Sequence, residues 1–113
     1  MTGSRFKTSF SLDEKNDHGR IKTALGIRGA IYDLEGHGYS VTKIKYALYR
    51  DDYSVEGWQD DYQVRLGDKN AMLVRIKQTM RDTHTNNMQT EVSVDCFDDN
   101  LTETFDMMKR KVA

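Results

Sequence analysis

Strict alternation of apolar and polar residues dominates the second half of this 113-residue chain. Along residues 72–81 apolar side chains alternate with basic or polar ones, and residues 88–96 repeat the pattern with valines. A period of two is that of a β-strand with one buried and one solvated face. Two further runs, around 43–48 and 58–66, share this period. The sequence therefore predicts a four-stranded antiparallel meander between residues 41 and 97.

Three segments outside the meander complete the predicted fold. Residues 5–12 alternate and predict a strand, whereas apolar residues recur at helical spacing over 17–35 and again over 101–112. Asn100 is the expected cap of the second helix, with Glu103 reaching back to it. The prediction is an α+β fold: N-terminal strand, long helix, four-stranded antiparallel meander and C-terminal helix, with both helices on one sheet face. The helices are expected to cover Trp58, Tyr62, Val64, Val74, Ile76, Val92 and Val94.

The stretch LEGHGYS, residues 34–40, sets His37 between two glycines at the end of the first predicted helix. Gly36 or Gly38 can take the left-handed conformation that ends helices, and a protonated His37 would interact well with the helix dipole. No Cys or Asp lies nearby at metal-ligand spacing, so we interpret His37 as marking a helix end. Gly26 and Gly29, inside the predicted helix, indicate close packing against another element.

Composition narrows the classes of function. With 17 basic and 18 acidic side chains, the chain has no overall attraction to nucleic acid or to an anionic membrane. No apolar run approaches the roughly 18 residues of a membrane span. The single cysteine, Cys96, excludes an internal disulfide and favours a reducing, cytoplasmic setting. The chain has no proline and no recognisable linker, which predicts one domain over residues 1–113.

Parity and short turns predict how the strands pair, because a slip by one residue would turn an apolar face to water. Val64 is expected opposite Val74, Ile76 opposite Cys96, and Leu48 opposite Trp58. These registers place four alternating charges in one row across the solvated face: Lys45, Asp61, Lys77 and Asp95.

Asp60 breaks the pattern, because its parity is that of the apolar face. On the predicted registers Tyr46, Asp60 and Gln78 are neighbours in one row. Burying an unpartnered carboxylate costs several kcal/mol. One interpretation is an internal hydrogen-bond network, or a bulge that turns Asp60 outward. The other is a small-ligand site formed by these three residues between sheet and helices.

Motifs for catalysis are missing from the sequence. The stretch GIRGA lacks the Lys-Ser/Thr ending of a phosphate-binding loop, and neither a nucleophile elbow nor an HExxH pair is present. The acidic residues near the strand ends are more typical of turns and helix caps than of a cation site. We therefore predict no enzyme activity, no cofactor and no metal.

Recognition of a protein partner is the function that the sequence favours. The residues expected to form the contact surface are Tyr49, Arg75, Lys77, Arg81 and Phe97, with Phe97 opposite Arg75, because Arg and aromatic residues are enriched at interface hot spots. An edge strand, around 5–12 or 88–97, is expected to offer pairing to a partner or to a second copy. The small size suits an accessory or inhibitor protein of the kind that viruses and mobile elements encode.

Single-stranded nucleic acid is a further candidate for the open sheet face. Aromatic side chains can stack on bases while basic groups hold phosphates. Asp61, Glu91 and Asp95 interrupt this basic surface, so the sequence favours a protein partner over nucleic acid.

Overall fold

The computed structural model describes residues 3–13, 18–48, 57–82 and 87–112. The elements, in chain order, are β1 (Ser4–Asp13), α1 (His18–Asp33), β2 (Ser40–Leu48), β3 (Gly57–Leu66), β4 (Lys69–Asp82), β5 (Asn87–Cys96) and α2 (Thr102–Lys111). Short 3₁₀ helices extend α1 over Leu34–His37 and precede α2 over Asp99–Leu101. The predicted α+β fold and its order of elements are confirmed.

All five strands form one antiparallel sheet in the spatial order β1-β5-β4-β3-β2. The predicted meander is present as β2 to β5, and β1 adds beyond β5 along its whole length. Of the two strands predicted as possible edges, the one over residues 5–12 is therefore an edge and the one over residues 88–97 is not. The two edges of the sheet are β1 and β2, the first and second strands along the chain.

Both helices pack on the same face of the sheet, which we call the inner face. Its central positions belong to the residues of β3, β4 and β5 with even numbers, and α1 and α2 cover them with Ile27, Ile31, Phe105 and Met108. The expected core residues that the structure buries are Tyr62, Val64, Val74, Ile76, Val92 and Val94. The side chain of Trp58 lies outside the described part.

Two aromatic contacts show how the helices divide the inner face. The ring of Phe105 in α2 meets that of Phe6 in β1 edge-on, with centroids 5.2 Å apart. The ring of Tyr32 in α1 meets that of Tyr62 in β3 in the same manner, at 5.8 Å. Edge-to-face packing is favoured by the aromatic quadrupole. As a result α2 holds the β1 side of the sheet and α1 holds the side nearer β2.

Specific residues end α1 and start α2. Gly38 adopts the left-handed conformation with φ +91°, and its N–H donates to the carbonyls of Leu34 and Glu35, so the prediction that His37 marks a helix end is confirmed. Before α2 the cap is Asp98 rather than Asn100, because the Asp98 carboxylate accepts the Asn100 N–H at 2.9 Å. The cap moved because the helix opens with a 3₁₀ turn.

The two glycines inside α1 differ in how closely they pack against another element. A Cβ on Gly29 would meet nothing within 4 Å, and Gly29 is exposed, so the prediction of close packing is wrong there. A Cβ on Gly26 would lie 2.8 Å from Nζ of Lys111 in α2, so Gly26 does lie close to another element, although its neighbour is the end of a flexible side chain.

The strand registers differ from those predicted. Val74 is opposite Tyr62 rather than Val64, and Ile76 is opposite Val92 rather than Cys96. These are shifts by even numbers of residues, which leave every side chain on its predicted face. The predicted charge row is therefore wrong, although each charge still has an oppositely charged residue across from it.

The register of β2 is shifted by a single residue, which does exchange its faces. Trp58 is opposite Ala47 rather than Leu48, and Lys43 is opposite the buried Tyr62. Ile44 is opposite Asp61 on the solvated side and is 41% exposed. The shift therefore places Ile44 on the side of the sheet away from the helices.

Candidate functional site

The face of the sheet opposite the helices, which we call the outer face, is uncovered by any described element. Its positions are the odd-numbered residues of β1, β3, β4 and β5 and the even-numbered residues of β2. Described side chains there are exposed or half-buried, except that of Ala71, which is buried at the irregularity in the pairing of β3 with β4. The outer face therefore offers a broad surface of side chains on a rigid support.

Complementary charges face one another across the strands of the outer face. Arg75 donates two hydrogen bonds to Asp61, from Nε to Oδ1 at 3.0 Å and from Nη2 to Oδ2 at 3.3 Å. Arg5 at the β1 edge donates through Nε to Asp95 Oδ1. Lys77 is opposite Glu91 in the ladder. The basic side chains are thus interleaved with acidic ones rather than gathered into a patch.

Two aliphatic side chains interrupt this charged surface. Leu73 in β4 is 37% exposed and Ile44 in β2 is 41% exposed. Leu73 is opposite Asp95 and Gln63, whereas Ile44 is opposite Asp61. They provide apolar contact area beside groups that can hydrogen-bond.

Of the predicted contact residues, the structure brings Arg75 and Lys77 together on neighbouring rows of the outer face. Phe97 does not join them. It follows β5, and its N–H donates to the Ala71 carbonyl at 2.9 Å, while Arg75 is opposite Ser93. The expected pairing of Phe97 with Arg75 is wrong because β5 is displaced by four residues along β4. Tyr49 and the side chain of Arg81 lie outside the described part.

Asp60 is buried on the inner face, with only 4% of its surface exposed. Its Oδ2 atom receives Arg28 Nη2 of α1 at 3.5 Å and lies 4.0 Å from Lys43 Nζ of β2. Its Oδ1 atom has no hydrogen-bond partner among the described residues. This arrangement is the internal ionic network that the sequence left open as one interpretation, and it shows no outward bulge at Asp60.

The row predicted for a ligand site does not form. Tyr46 is opposite Gln59, Asp60 is opposite Ile76, and Gln78 is opposite Trp58. Asp60 and Gln78 remain diagonal neighbours on the inner face, but Tyr46 belongs to a row of the outer face. The shift of β2 by one residue separates it from the other two.

A cavity of about 370 Å³ opens between the start of β1, the end of β5 and α2, with Arg5, Cys96, Asp98, Asp106 and Lys109 in its lining. The Cys96 thiol donates to the Asp98 carbonyl at 3.5 Å. Burial raises the pKa of Cys96; this hydrogen bond lowers it, and nearby carboxylates, Asp98 among them, raise it. The thiol is therefore protonated at neutral pH and is a poor nucleophile.

Asp98 also fixes the residue before β2. The Tyr39 hydroxyl donates to Asp98 Oδ2 at 3.0 Å. Desolvation raises the pKa of Tyr39, and the hydrogen bond and negative charge of Asp98 raise it further. The contact joins the two ends of the meander.

Sequence reasoning missed Arg28 and Lys43 as partners of Asp60, and Ile44 and Leu73 as exposed apolar groups. Arg28 had no distinctive signal in the sequence, because Arg20 occupies the same helical stripe, four residues before Ala24. Within the described residues, no three His, Cys, Asp or Glu side chains are grouped to hold a metal ion. Neither described helix is long and apolar enough to cross a membrane.

Comparison with known proteins adds little to this picture. No protein-family model and no curated protein matches the sequence. One solved structure, an uncharacterized protein from Rhizobium leguminosarum, is similar over 98% of this chain and 93% of its own, at 10% identity and a TM-score of 0.37. So remote a likeness bears on neither fold nor function.

Proposed function

We propose that this is a non-catalytic binding protein that recognises a protein partner through the outer face of its sheet. The observation that carries the proposal is the interleaving of paired charges with exposed aliphatic side chains on a sheet face that no described element covers. Arg75 with Asp61 and the neighbouring Leu73 represent this pattern. Protein interfaces combine such apolar contacts with a polar surround.

The charge pairing favours a protein over nucleic acid as the partner. Binding to a phosphate backbone draws its free energy from cations that replace condensed counterions. Arg75 and Arg5 are already engaged by carboxylates, and Lys77 is opposite Glu91. A partner surface with both signs of charge can exchange with these pairs, whereas a polyanion would be repelled by the acids.

The biological setting that we propose follows from this mode of action. A small domain that acts by occupying a partner's surface would serve as an accessory or inhibitor protein. The buried, protonated thiol of Cys96 suits a reducing compartment, and we propose that the protein works in the cytoplasm.

Matched apolar substitutions on two surfaces test the proposal. Two substitutions remove the exposed aliphatic groups of the outer face. Leu73→Lys places a lysine opposite Asp95, and Ile44→Thr keeps a β-branched side chain. Leu25→Gln removes a leucine of α1 that is more exposed still, at 58%, and is the control. A partner is first captured from cell lysate with the unaltered protein and identified, and the affinity of the purified pair is then measured by calorimetry.

The proposal predicts that Leu73→Lys and Ile44→Thr each weaken binding by about 1–2 kcal/mol, as expected for contacts near an interface centre, while Leu25→Gln leaves it unchanged. Equal loss in all three variants, or loss only in Leu25→Gln, would place recognition elsewhere. A labelled single-stranded oligonucleotide that binds tightly, with an affinity falling steeply as salt is added, would replace a protein partner with nucleic acid.

A further inference from the structure

The β1 edge carries a row of backbone groups that point away from the sheet, and the ladder pattern tells which residues they belong to. The N–H of Phe97 donates to the carbonyl of Ala71, one position beyond the pair of Cys96 with Met72. Hydrogen-bonded and non-hydrogen-bonded pairs alternate in antiparallel ladders. Odd-numbered residues of β5 therefore bond β4, and its even-numbered residues bond β1.

The same alternation assigns the groups of β1. Its even-numbered residues pair with even-numbered residues of β5, as Phe6 does with Val94. The backbone N–H and C=O groups of Lys7, Ser9 and Ser11 consequently point to the free side of the strand. No described strand pairs with this side.

The other edge of the sheet is protected, and β1 is not. Lys43 and Lys45 of β2 are opposite Tyr62 and Asp60, in inner-face rows. Inward lysines on an edge strand disfavour addition of another strand, because each would have to be buried against the newcomer. Antiparallel pairing of β2 with itself about any centre from residue 43 to 45 would also bring lysines face to face or next to each other. On β1 the corresponding inner-face positions are held by Phe6, Thr8 and other uncharged residues.

We propose that the β1 edge pairs antiparallel with β1 of a second copy of this chain, centred on Ser9, so that the sheet continues from five strands to ten. This register sets Ser9 opposite Ser9, Lys7 opposite Ser11, and Arg5 opposite Asp13 of the other copy. It brings together the outward-pointing backbone groups of both strands. A register centred on Lys7 would instead oppose two lysines.

A pair formed in this way is closed. Each copy has a single unprotected edge, and a two-fold axis uses both, so that only the lysine-protected β2 edges remain at the ends of the assembly. A discrete dimer is expected, not a filament. The inference goes beyond recognition by the outer face and does not rest on it, because an edge and a face are separate surfaces.

The first test uses two variants at Ser9, whose hydroxyl accepts a hydrogen bond from Gln89 Nε2. Ser9→Pro removes the outward N–H and leaves the ladder with β5 intact, as proline is tolerated on edge strands whose N–H faces solvent. Ser9→Ala removes only the hydroxyl and is the matched control. Sedimentation should show a dimer for the unaltered protein and for Ser9→Ala, and a dissociation constant raised at least about ten-fold for Ser9→Pro.

A monomer at every concentration up to about 1 mM would overturn the proposal, since that excludes all but the weakest association. A dimer retained in Ser9→Pro would also overturn it, and so would equal loss in both variants, which would place the contact at the hydroxyl. Circular dichroism checks that Ser9→Pro is folded.

A second measurement does not depend on how Ser9→Pro folds. Amide exchange of the unaltered protein should slow with increasing concentration at Lys7, Ser9 and Ser11 and stay constant at Phe6 and Thr8. Ser9→Cys should also form a disulfide-linked dimer, because the Cα atoms of a hydrogen-bonded pair lie about 5.5 Å apart, within disulfide range. Concentration-independent exchange, or equal cross-linking by a Thr42→Cys control on β2, would contradict the proposal.

Discussion

The two edges of this sheet are built differently although they lie under the same pair of helices. On β2 the inner-face parity falls on lysines, and Lys43 reaches the buried carboxylate of Asp60. On β1 that parity falls on Phe6, which packs against Phe105 of α2. One edge thus carries lysines in its inner-face rows, which oppose the addition of a strand, whereas the other carries uncharged residues there.

The register that places lysines in the inner-face rows of β2 leaves apolar side-chain surface exposed to solvent. A register one residue away would have put Ile44 inside, but it would also have moved Lys43 away from Asp60. The structure instead leaves Ile44 41% exposed and keeps the charge pair. Lys43 lies 4.0 Å from Asp60 and Arg28 also contacts it, so Lys43 offsets only part of the cost of burying that carboxylate.

The largest expected effect is on the β1 side of the sheet. Phe105→Ala removes the ring that packs edge-on against Phe6 and leaves a cavity beneath α2. We expect the free energy of unfolding to fall by about 3–5 kcal/mol, as for other buried phenylalanines. Denaturant unfolding measures it. A loss near that of Tyr32→Ala, whose exposed ring makes the corresponding contact over β3, would show that the two sides are held equally.

Arg28→Met tests the β2 side. It removes the closer of the two cations from Asp60 while keeping an apolar side chain of similar length. We expect a loss of about 2–3 kcal/mol, below the about 3–5 kcal/mol of breaking an isolated buried pair, because Lys43 remains. Adding Asp60→Leu should recover most of the loss in a double-mutant cycle. Additive losses would mean that the pair does not matter.

Gly29→Ala sharpens the comparison, because it strengthens α1 without touching either edge. The added Cβ meets open space, and alanine is favoured over glycine inside a helix by about 1 kcal/mol. We expect a gain of that size in thermal unfolding and no change in association. A destabilised variant would indicate a contact at Gly29 that the structure does not have.

Lys43→Thr should have the smallest effect on stability, because the pair with Asp60 spans 4.0 Å and the lysine is partly exposed. A loss of at most about 1 kcal/mol is expected. Association is the informative readout: removing one of the two lysines in the inner-face rows of β2 should weaken the protection of that edge, and light scattering should detect species larger than those of the unaltered protein. Lys22→Thr on exposed helix surface is the control.

The element order and the buried faces of β3 to β5 could be predicted because both follow from a period of two residues. Register could not, since a slide by two or four residues preserves every face and still matches opposite charges, as Arg75 with Asp61 shows. The faces of β2 were predicted wrongly for a different reason. Its apolar pattern favours Ile44 on the buried face. The contact of Lys43 with Asp60 joins two different strands, and no local pattern in β2 predicts it.

The sequence predicts which face of the sheet each residue of the candidate surface lies on, but not which residue is opposite it. Arg75 and Lys77 lie where their parity put them, on the uncovered side. Phe97 was misplaced because its position depended on a register. Leu73 was overlooked because it follows Met72 and precedes Val74, and its odd parity is easily read as part of a continuous apolar run.

The position of β1 has a consequence for the speed of folding. The contact between Arg5 and Asp95 joins residues 90 apart in sequence, while β3 and β4 are joined by a turn of two residues, Gly67 and Asp68. Closing so long a loop lowers the entropy of the chain before any stabilising contact forms. Proteins rich in contacts between distant residues therefore fold slowly. The meander should therefore assemble first, with β5 as a transient edge until β1 arrives. During that interval the edge of β5 that will later pair with β1 has free backbone groups and is the part of the sheet most exposed to misassociation. Rapid docking of β1 is therefore a requirement for efficient folding.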